Sequence, residues 1–273
     1  MTGATVARLW RYPVKSMAGE QVPELIVGRG SVVGDRAYGF LEVDTGRLVS
    51  AKRYGSLLEC QARLATSGVE VTFPDGTVVS DPDELSRRTS TLLGREVRFV
   101  RYTDPDAQPV VAMAAPETLA DFAPVHVLAV SALEQLAAEY PAGVWDPRRF
   151  RPNVLIDDSG QGDGVDGWLD HDLGLGAEVV VHVVIPTARC VMTTRAQGEL
   201  PRDPAILRTL ARSRRRDIGP LGSSPAVGSY AEVITPGVVR HGDPVRVQRV
   251  EPRHGVLAAA LETRNAQRPA SGG

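Results

Sequence analysis

Seven consecutive residues, Val179-Val180-Val181-His182-Val183-Val184-Ile185, constrain this chain more than any other stretch. Six of the seven are β-branched, which suits a pleated strand better than a helical turn. The run is apolar without the alternation of a half-exposed strand, so it predicts a buried strand. Pro186 has no N–H to give to a ladder, and the strand is expected to stop or to reach an edge there. The chain then presents Thr187-Ala188-Arg189-Cys190-Val191-Met192-Thr193-Thr194 as a short loop. A fixed positive charge beside a thiol favours the thiolate. A thiolate is a soft metal ligand or a nucleophile. The same residues equally allow Cys190 to be a small buried hydrophobe next to a surface arginine.

The surroundings of this strand are mostly β. Val6 to Arg11, Val22 to Val27, Ala37 to Val43, Gln61 to Leu64, Val69 to Phe73 and Val97 to Val100 read as short strands. Asp44-Thr45-Gly46, before Arg47-Leu48-Val49, and Pro74-Asp75-Gly76, before Thr77-Val78-Val79, supply turn chemistry. A helix is expected after Asp81-Pro82-Asp83-Glu84, with Asp81 as cap and Pro82 at its first position, ending near Gly94. Residues 103–121 read as a connector. Val125 to Val130 is a strand that delivers into Ser131-Ala132-Leu133-Glu134, a capping box that starts a helix to about Tyr140. Such a helix start can bind a phosphate or can simply be a cap. Arg148-Arg149-Phe150-Arg151-Pro152-Asn153 precedes a strand at Val154 to Ile156 and is either a solvated basic corner or an anion clamp. Asp157 to Gly167 is Gly/Asp-rich but lacks the ligand spacing of an EF-hand. Pro204 to Ala211 is a short helix followed by Arg212-Ser213-Arg214-Arg215-Arg216, a run that suits a helix C-terminus without any ligand. Tyr230 to Ile234 and Val245 to Val250 are the closing strands. Many short strands and few helices predict a mainly β (α+β) chain built as a closed or partly closed barrel, with two stacked α+β domains as the competing arrangement.

Composition removes several classes of function. The 273 residues carry a net charge of -2, so no global field favours nucleic acid or an anionic membrane. No apolar run approaches the length of a membrane span, and Met1 to Trp10 has no signal-peptide pattern; a cytoplasmic protein is expected. Cys60 and Cys190 are the only cysteines, which fits a reducing compartment. Cys60 is expected in the core of a strand. The five histidines show no zinc-site spacing.

Cations and short hydroxyls recur at strand ends: Tyr12-Pro13-Val14-Lys15-Ser16, Gly34-Asp35-Arg36, Phe150-Arg151-Pro152-Asn153, Arg189-Cys190 with Thr193-Thr194, and then Gly242-Asp243-Pro244-Val245. Loops on a rigid scaffold are where binding residues concentrate. Taken one at a time, each is as readily a surface charge. As an ordered set they resemble the MOSC proteins, and more narrowly the subgroup with an N-terminal MOSC β-barrel domain that includes the mitochondrial amidoxime-reducing component. The motifs span almost the whole chain.

That resemblance implies a MOSC-type β-barrel with an N-terminal β-rich domain and a few short helices. Its organisation would be an N-terminal MOSC β-barrel domain over 1–120, a MOSC domain carrying the cysteine loop over 121–250, and a tail over 251–273. It implies the molybdenum cofactor (Mo-molybdopterin), with no pyridoxal phosphate, and Cys190 as catalytic residue and molybdenum ligand. Lys15, Ser16, Arg36 and Arg151 would hold the cofactor's phosphate, Arg189 and Thr194 would also bind the cofactor, and Ser131 and Tyr230 would be further contact positions. The activity implied is reduction of N-oxygenated (N-hydroxylated) small molecules, with electrons from a separate donor protein. Two alternatives share the site: a cofactor carrier without turnover, and a sulfur-transfer protein with a persulfide on Cys190. One departure stands out. Where the family often carries a D-P-x-T-G turn, this chain has Arg195-Ala196-Gln197-Gly198-Glu199-Leu200, so the rim of the site and its substrate are expected to differ.

Overall fold

The computed structural model describes residues 3–107, 118–120, 122–158, 167–218 and 222–251. The first part of the chain forms β1 (Thr5–Arg11), β2 (Glu20–Val22), β3 (Glu24–Val27), β4 (Tyr38–Glu42), β5 (Gln61–Ala65), β6 (Gly68–Thr72), β7 (Val78–Val79), α1 (Pro82–Leu93) and β8 (Val97–Arg101). The second part forms β9 (Val125–Ala129), α2 (Val130–Glu139), β10 (Val154–Asp157), β11 (His171–Leu175), β12 (Val179–Ala188), α3 (Pro204–Ser213), β13 (Arg215–Asp217), β14 (Ser223–Thr235), β15 (Gly237–Arg240) and β16 (Val245–Arg249). The chain is mainly β, as its turn-punctuated strands predict.

The main sheet runs β16-β11-β12-β14-β9-β10-β1-β2, with β13 added on β14. Only the β9–β10 pair is parallel among these strands. The sheet curls: a bridge between Thr5 and Pro244, with Val6 N–H bonded to Asp243 O at 2.9 Å, sets the start of β1 against the lead-in to β16. The ladder itself does not close, so the barrel is the partly closed kind. Its core gathers Leu9, Leu128, Leu136, Phe150, Val181 and Leu210. A second core, around Phe40, Leu57, Leu58, Cys60 and Leu85, lies among β4–β8 and α1. Tyr12 belongs to the first core, whereas Val14 and Met17 belong to the second. The Tyr12–Ser16 stretch therefore crosses the seam between them. Met192, behind the cysteine, also packs on the second core.

Local chemistry explains most elements. Asp81 accepts from Glu84 N–H at 2.8 Å, Pro82 opens α1, and Gly94 ends it in the left-handed region at φ 63°. Asp203 caps α3 in the same way on Ala205 N–H at 2.8 Å. Four expectations change. The strand expected over 22–27 is broken at Pro23 into β2 and β3, which pair with β1 and β15 respectively. Arg47–Val49 forms no strand, only a bridge between Leu41 and Leu48. Arg215 and Arg216, read as the charged end of a helix, lie in β13 and pair with β14. The capping box at Ser131 is not one: α2 starts at Val130, its cap residue is Ala129, and no side chain caps it. Parts of the 103–121 connector, the 157–167 loop and nearly all of the tail lie outside the described residues. Among the described residues no helix is long and apolar enough to cross a membrane.

β12 fulfils the expectation for Pro186 in its second form. Its ladder with β11 reaches only His182, so beyond that point it is paired on one side, with β14. Pro186 lies in this one-sided part, where a missing N–H is tolerated. Register shifts at Val183/Ile185 and Pro186/Ala188 flank it. Such irregularities bend and twist a strand. Here they carry the chain out of the sheet and into the cysteine turn.

Candidate functional site

Cys190 begins a short 3-10 turn, Val191–Thr194. Thr193 Oγ1 donates to Cys190 O at 3.0 Å and Thr194 Oγ1 to Val191 O at 2.8 Å. Both threonines are buried and close the turn on itself, which fixes the cysteine at its head. Cys190 is a half-buried free thiol, and among the described residues none hydrogen-bonds to its sulfur. Cys60 is the opposite case. It is fully buried, and burial, with smaller contributions from Glu59 and Asp75, pushes its thiol up to about 12. That leaves Cys190 as the cysteine suited to chemistry.

From the turn a hydrogen-bonded network runs back to the Tyr12–Ser16 stretch. Arg189 donates through Nε and Nη2 to Val227 O, through Nη1 to Phe150 O at 2.8 Å, and through Nη2 to His126 Nε2 at 2.5 Å. A guanidinium only donates, so His126 Nε2 must accept. Its Nδ1 then carries the proton and donates to Arg151 O at 3.1 Å. Burial, and next the charge of Arg189, hold the His126 pKa well below the usual imidazole range, so the ring is neutral. Gly228 is required beside it: at φ 71° a side chain is strained, and a Cβ there would lie 2.7 Å from His126 Nε2.

Arg151 O also accepts from Arg36 Nη2 at 3.3 Å. Arg36 forms an ion pair with the buried Asp35, whose other oxygen accepts from Tyr12 N–H at 2.8 Å. Burial alone would lower the Arg36 pKa, but the Asp35 charge and hydrogen bond outweigh it and the pKa is raised. Arg151 Nη1 donates to Met17 O at 2.5 Å. The two guanidiniums clasp the Tyr12 ring, Arg36 at 4.7 Å and Arg151 at 4.3 Å from its centroid. Leu119 joins the last member: its N–H bonds Arg36 O, and its O accepts from Lys15 Nζ at 2.7 Å. Tyr230 stacks on Phe122 and lies 5.6 Å from the His126 ring.

Lys15, Arg36, Arg151 and Arg189 are thus joined in one network ending at Cys190, with Ser16, Thr194 and Tyr230 at its margins. Ser131 is elsewhere. Its Oγ donates to Asp158 at 2.5 Å, and its N–H also bonds that carboxylate. Ser131 and Asp158 follow the C-terminal ends of the parallel strands β9 and β10, whereas His126 and Arg151 lie at their N-terminal ends. Arg189 departs from the sequence argument in another way: its guanidinium is engaged with carbonyls and His126, so its visible work is to position the loop.

Backbone geometry singles out the same stretches. Among the described non-glycine residues, φ is positive only at Ser16 (71°), Arg36 (48°), Arg151 (56°) and Asp170 (59°). Three of these four are motif residues of the network. Left-handed backbone at a side-chain-bearing residue costs about 1–2 kcal/mol, and such strain concentrates at binding and catalytic sites. It follows that Arg151→Gly should be more stable than Arg151→Ala by about 0.5–1 kcal/mol, reversing the usual preference. Urea unfolding of the two variants decides this, and equal or inverted midpoints would refute a strain at this position.

Sequence reasoning passed over several residues that build the site. Asp35, Tyr12 and Asn153 lie inside the motifs, but nothing in their neighbours assigns them a role. Asn153 Oδ1 accepts from His126 N–H at 3.1 Å and its Nδ2 donates to Trp10 O at 3.3 Å, tying β9 to β1. His126 had no signal, since its partners are 25 and 63 positions away. Arg149, read only as part of a basic run, is fully buried and holds the cysteine segment from behind through Thr193 O, Arg195 O and Pro201 O.

Two family models match the chain. The MOSC N-terminal beta barrel domain matches residues 3–108 and the MOSC domain matches residues 115–246. No curated protein matches. Among solved structures, the YUAD protein from Bacillus subtilis is 12% identical with a TM-score of 0.49, covering 92% of this chain and 98% of its own. YiiM from Geobacillus stearothermophilus is 21% identical with a TM-score of 0.32, covering 51% of this chain and 60% of its own. YiiM from Escherichia coli is 16% identical over 50% of this chain and 60% of its own, with a TM-score of 0.33.

Proposed function

We propose that this chain, which belongs to the MOSC proteins through both its N-terminal beta barrel domain and its MOSC domain, binds the molybdenum cofactor and reduces N-oxygenated (N-hydroxylated) small molecules. MOSC domains are associated with molybdenum-cofactor proteins, and the residues present suit that group. A pterin phosphate needs clustered cations on a rigid frame, and Lys15, Arg36 and Arg151 stand on connected backbone with two of the three in strained conformations. A soft metal needs a thiolate within reach of solvent, and Cys190 is a free, half-buried thiol at the head of a closed turn. The observation that carries the proposal is the network joining these two ends through His126 and Arg189.

When bound, the cofactor supplies a two-electron couple at molybdenum. Cys190 would be its protein ligand and Lys15, Ser16, Arg36 and Arg151 would hold the phosphate. Thr193 and Thr194 keep the sulfur's backbone from rotating. Neutral His126 fixes the Arg189 fork without adding a competing charge. Tyr230 and Phe122 wall the cluster with stacked rings at 5.7 Å. Electrons would come from a separate donor protein.

Metal and pterin analysis of protein made in a cofactor-competent host tests the assignment. Wild type should carry close to stoichiometric molybdenum, and Cys190→Ser should lose most of it while keeping the wild-type melting temperature. A wild type free of molybdenum and pterin would overturn the reading. Benzamidoxime reduction with an artificial electron donor then separates an enzyme from a carrier, since a carrier retains molybdenum but shows no turnover.

A further inference from the structure

We infer that Arg195 is a positioning residue for Cys190 and that Gly55 is its seat: together they dock the cysteine turn on the N-terminal beta barrel domain. The inference rests on the reading of Cys190 as the functional thiol. Arg195 opens the segment in which this chain departs from the family's turn, and it has no part in the cation cluster. It closes the turn that Cys190 begins: Thr193 N–H bonds Cys190 O and Arg195 N–H bonds Met192 O, both at 3.2 Å. In 3-10 geometry side chains three positions apart eclipse, so Met192 and Arg195 leave the turn on one side. Both meet the N-terminal domain. Met192 packs on the second core, and Arg195 Nη2 donates to Lys52 O at 2.8 Å.

The seat is shaped for a guanidinium. Gly55 starts a second 3-10 turn, Gly55–Glu59, without a positive φ, so its lack of a side chain is not a demand of the backbone. A Cβ there would stand 2.5 Å from Arg195 Nη1, 2.9 Å from its Cδ and 3.1 Å from its Cζ. The fork thus lies where any side chain at position 55 would begin. The segment beneath is itself held. Arg53 and Tyr54 N–H both bond Ser50 O at 2.9 Å, and their side chains bond the buried Glu42 at 3.1 and 2.7 Å. Arg195 gains no ion pair: among the described residues its one side-chain hydrogen bond is to Lys52 O, and its Nε is buried without an acceptor. Stability alone is better served by an apolar residue in such a place. What the arginine does achieve is a reach across the seam. It fixes the cysteine turn against the domain that also carries Lys15 and Ser16.

Alkylation of Cys190 by iodoacetamide tests the inference, in the full chain made in a host without the cofactor, with Cys190→Ser as the blank. Arg195→Met should react about three- to tenfold faster than wild type, because one hydrogen bond no longer opposes local opening of the turn. Gly55→Ala should do the same, since its methyl unseats the fork while the arginine is kept. The double variant should be no faster than Arg195→Met, because the methyl acts only through the guanidinium. Arg195→Lys, which keeps a donor but not the planar fork, should fall between wild type and Arg195→Met. In a cofactor-competent host both single variants should carry less molybdenum than wild type, by about twofold or more. Wild-type alkylation rates in Gly55→Ala and Arg195→Lys would overturn the inference, as would rate changes that multiply in the double variant or undiminished molybdenum in both single variants. A wild type without molybdenum would instead overturn the cofactor reading and leave the alkylation comparison standing.

Discussion

Replacing Arg149 by leucine is expected to destabilise the protein by about 3–5 kcal/mol, one of the two largest single effects anticipated in the chain. The side chain is fully buried, and its bonds run to main-chain carbonyls: Nε to Val144 O at 2.8 Å, Nη1 to Thr193 O and Arg195 O at 3.3 and 3.2 Å, and Nη2 to Pro201 O at 2.7 Å. Burial lowers its pKa, opposed only by the more distant charges of Asp203 and Asp146. The charge is therefore kept in place by carbonyl dipoles from three separate segments. Leucine fills much of the volume but removes every one of those bonds and leaves the carbonyls to find other donors. Lysine restores the charge but not the planar fork, and a single ammonium does not span three segments; a cost of about 2–3 kcal/mol is expected for Arg149→Lys. Urea unfolding with a constant m-value measures both. The effect has a functional counterpart. The carbonyls at 193 and 195 bracket the turn behind Cys190, so molybdenum content should fall in Arg149→Lys before global stability is lost. An Arg149→Leu variant within about 0.5 kcal/mol of wild type would show that this guanidinium anchors nothing.

The same arginine shows where the sequence stops being legible. Arg148, Arg149 and Arg151 are neighbours in the chain, and composition offers one explanation for all three, a basic corner or an anion clamp. The 3-10 turn at Pro147–Arg149 sends them to three different places. Arg148 pairs on the surface with Asp146 and Glu199, Arg149 is buried among carbonyls, and Arg151 enters the cation cluster on a left-handed backbone. Nothing in the letters distinguishes these fates, because each is decided by partners far along the chain. Features governed by near neighbours were legible: the Asp81 cap, the Gly94 stop, the β12 run and the one-sided setting of Pro186. The order of the site motifs was legible too, but not their convergence, since Lys15 and Arg36 are linked through Leu119, and Arg151 and Arg189 through His126, all distant in the chain. Adjacency also misled. Arg189 stands next to Cys190 in sequence, yet its fork is turned to Val227, Phe150 and His126. Ser131 sits before a helix as a cap should, yet β9 passes directly into α2 and leaves its hydroxyl to Asp158.

Asp35→Ala is expected to match the Arg149 variant, at about 3–5 kcal/mol, for the opposite reason: it strands a charge instead of removing one. Asp35 is buried, is ion-paired with Arg36, and accepts from Tyr12 N–H, so alanine leaves a part-buried guanidinium without its counter-charge and a buried amide without its acceptor. Whether the pair exists for stability is decided by the double variant. Paired buried charges replaced together by apolar groups are often neutral or stabilising, so Asp35→Ala/Arg36→Leu should be more stable than Asp35→Ala alone. The coupling energy is expected at about 1.5–3 kcal/mol. The φ of 48° at position 36 remains a cost with leucine, and Asp35→Ala/Arg36→Gly should recover about 0.5–1 kcal/mol more. If the pair serves a phosphate, the double variants regain stability without regaining molybdenum, and this dissociation is the expected result. The Arg36 fork is held against Tyr12 by Asp35 while its backbone is strained, an arrangement that folding alone does not require. Double variants that are as unstable as Asp35→Ala would assign the pair to the fold. Double variants that keep wild-type molybdenum would remove Arg36 from the cofactor site altogether, leaving Lys15 and Arg151 to hold the phosphate.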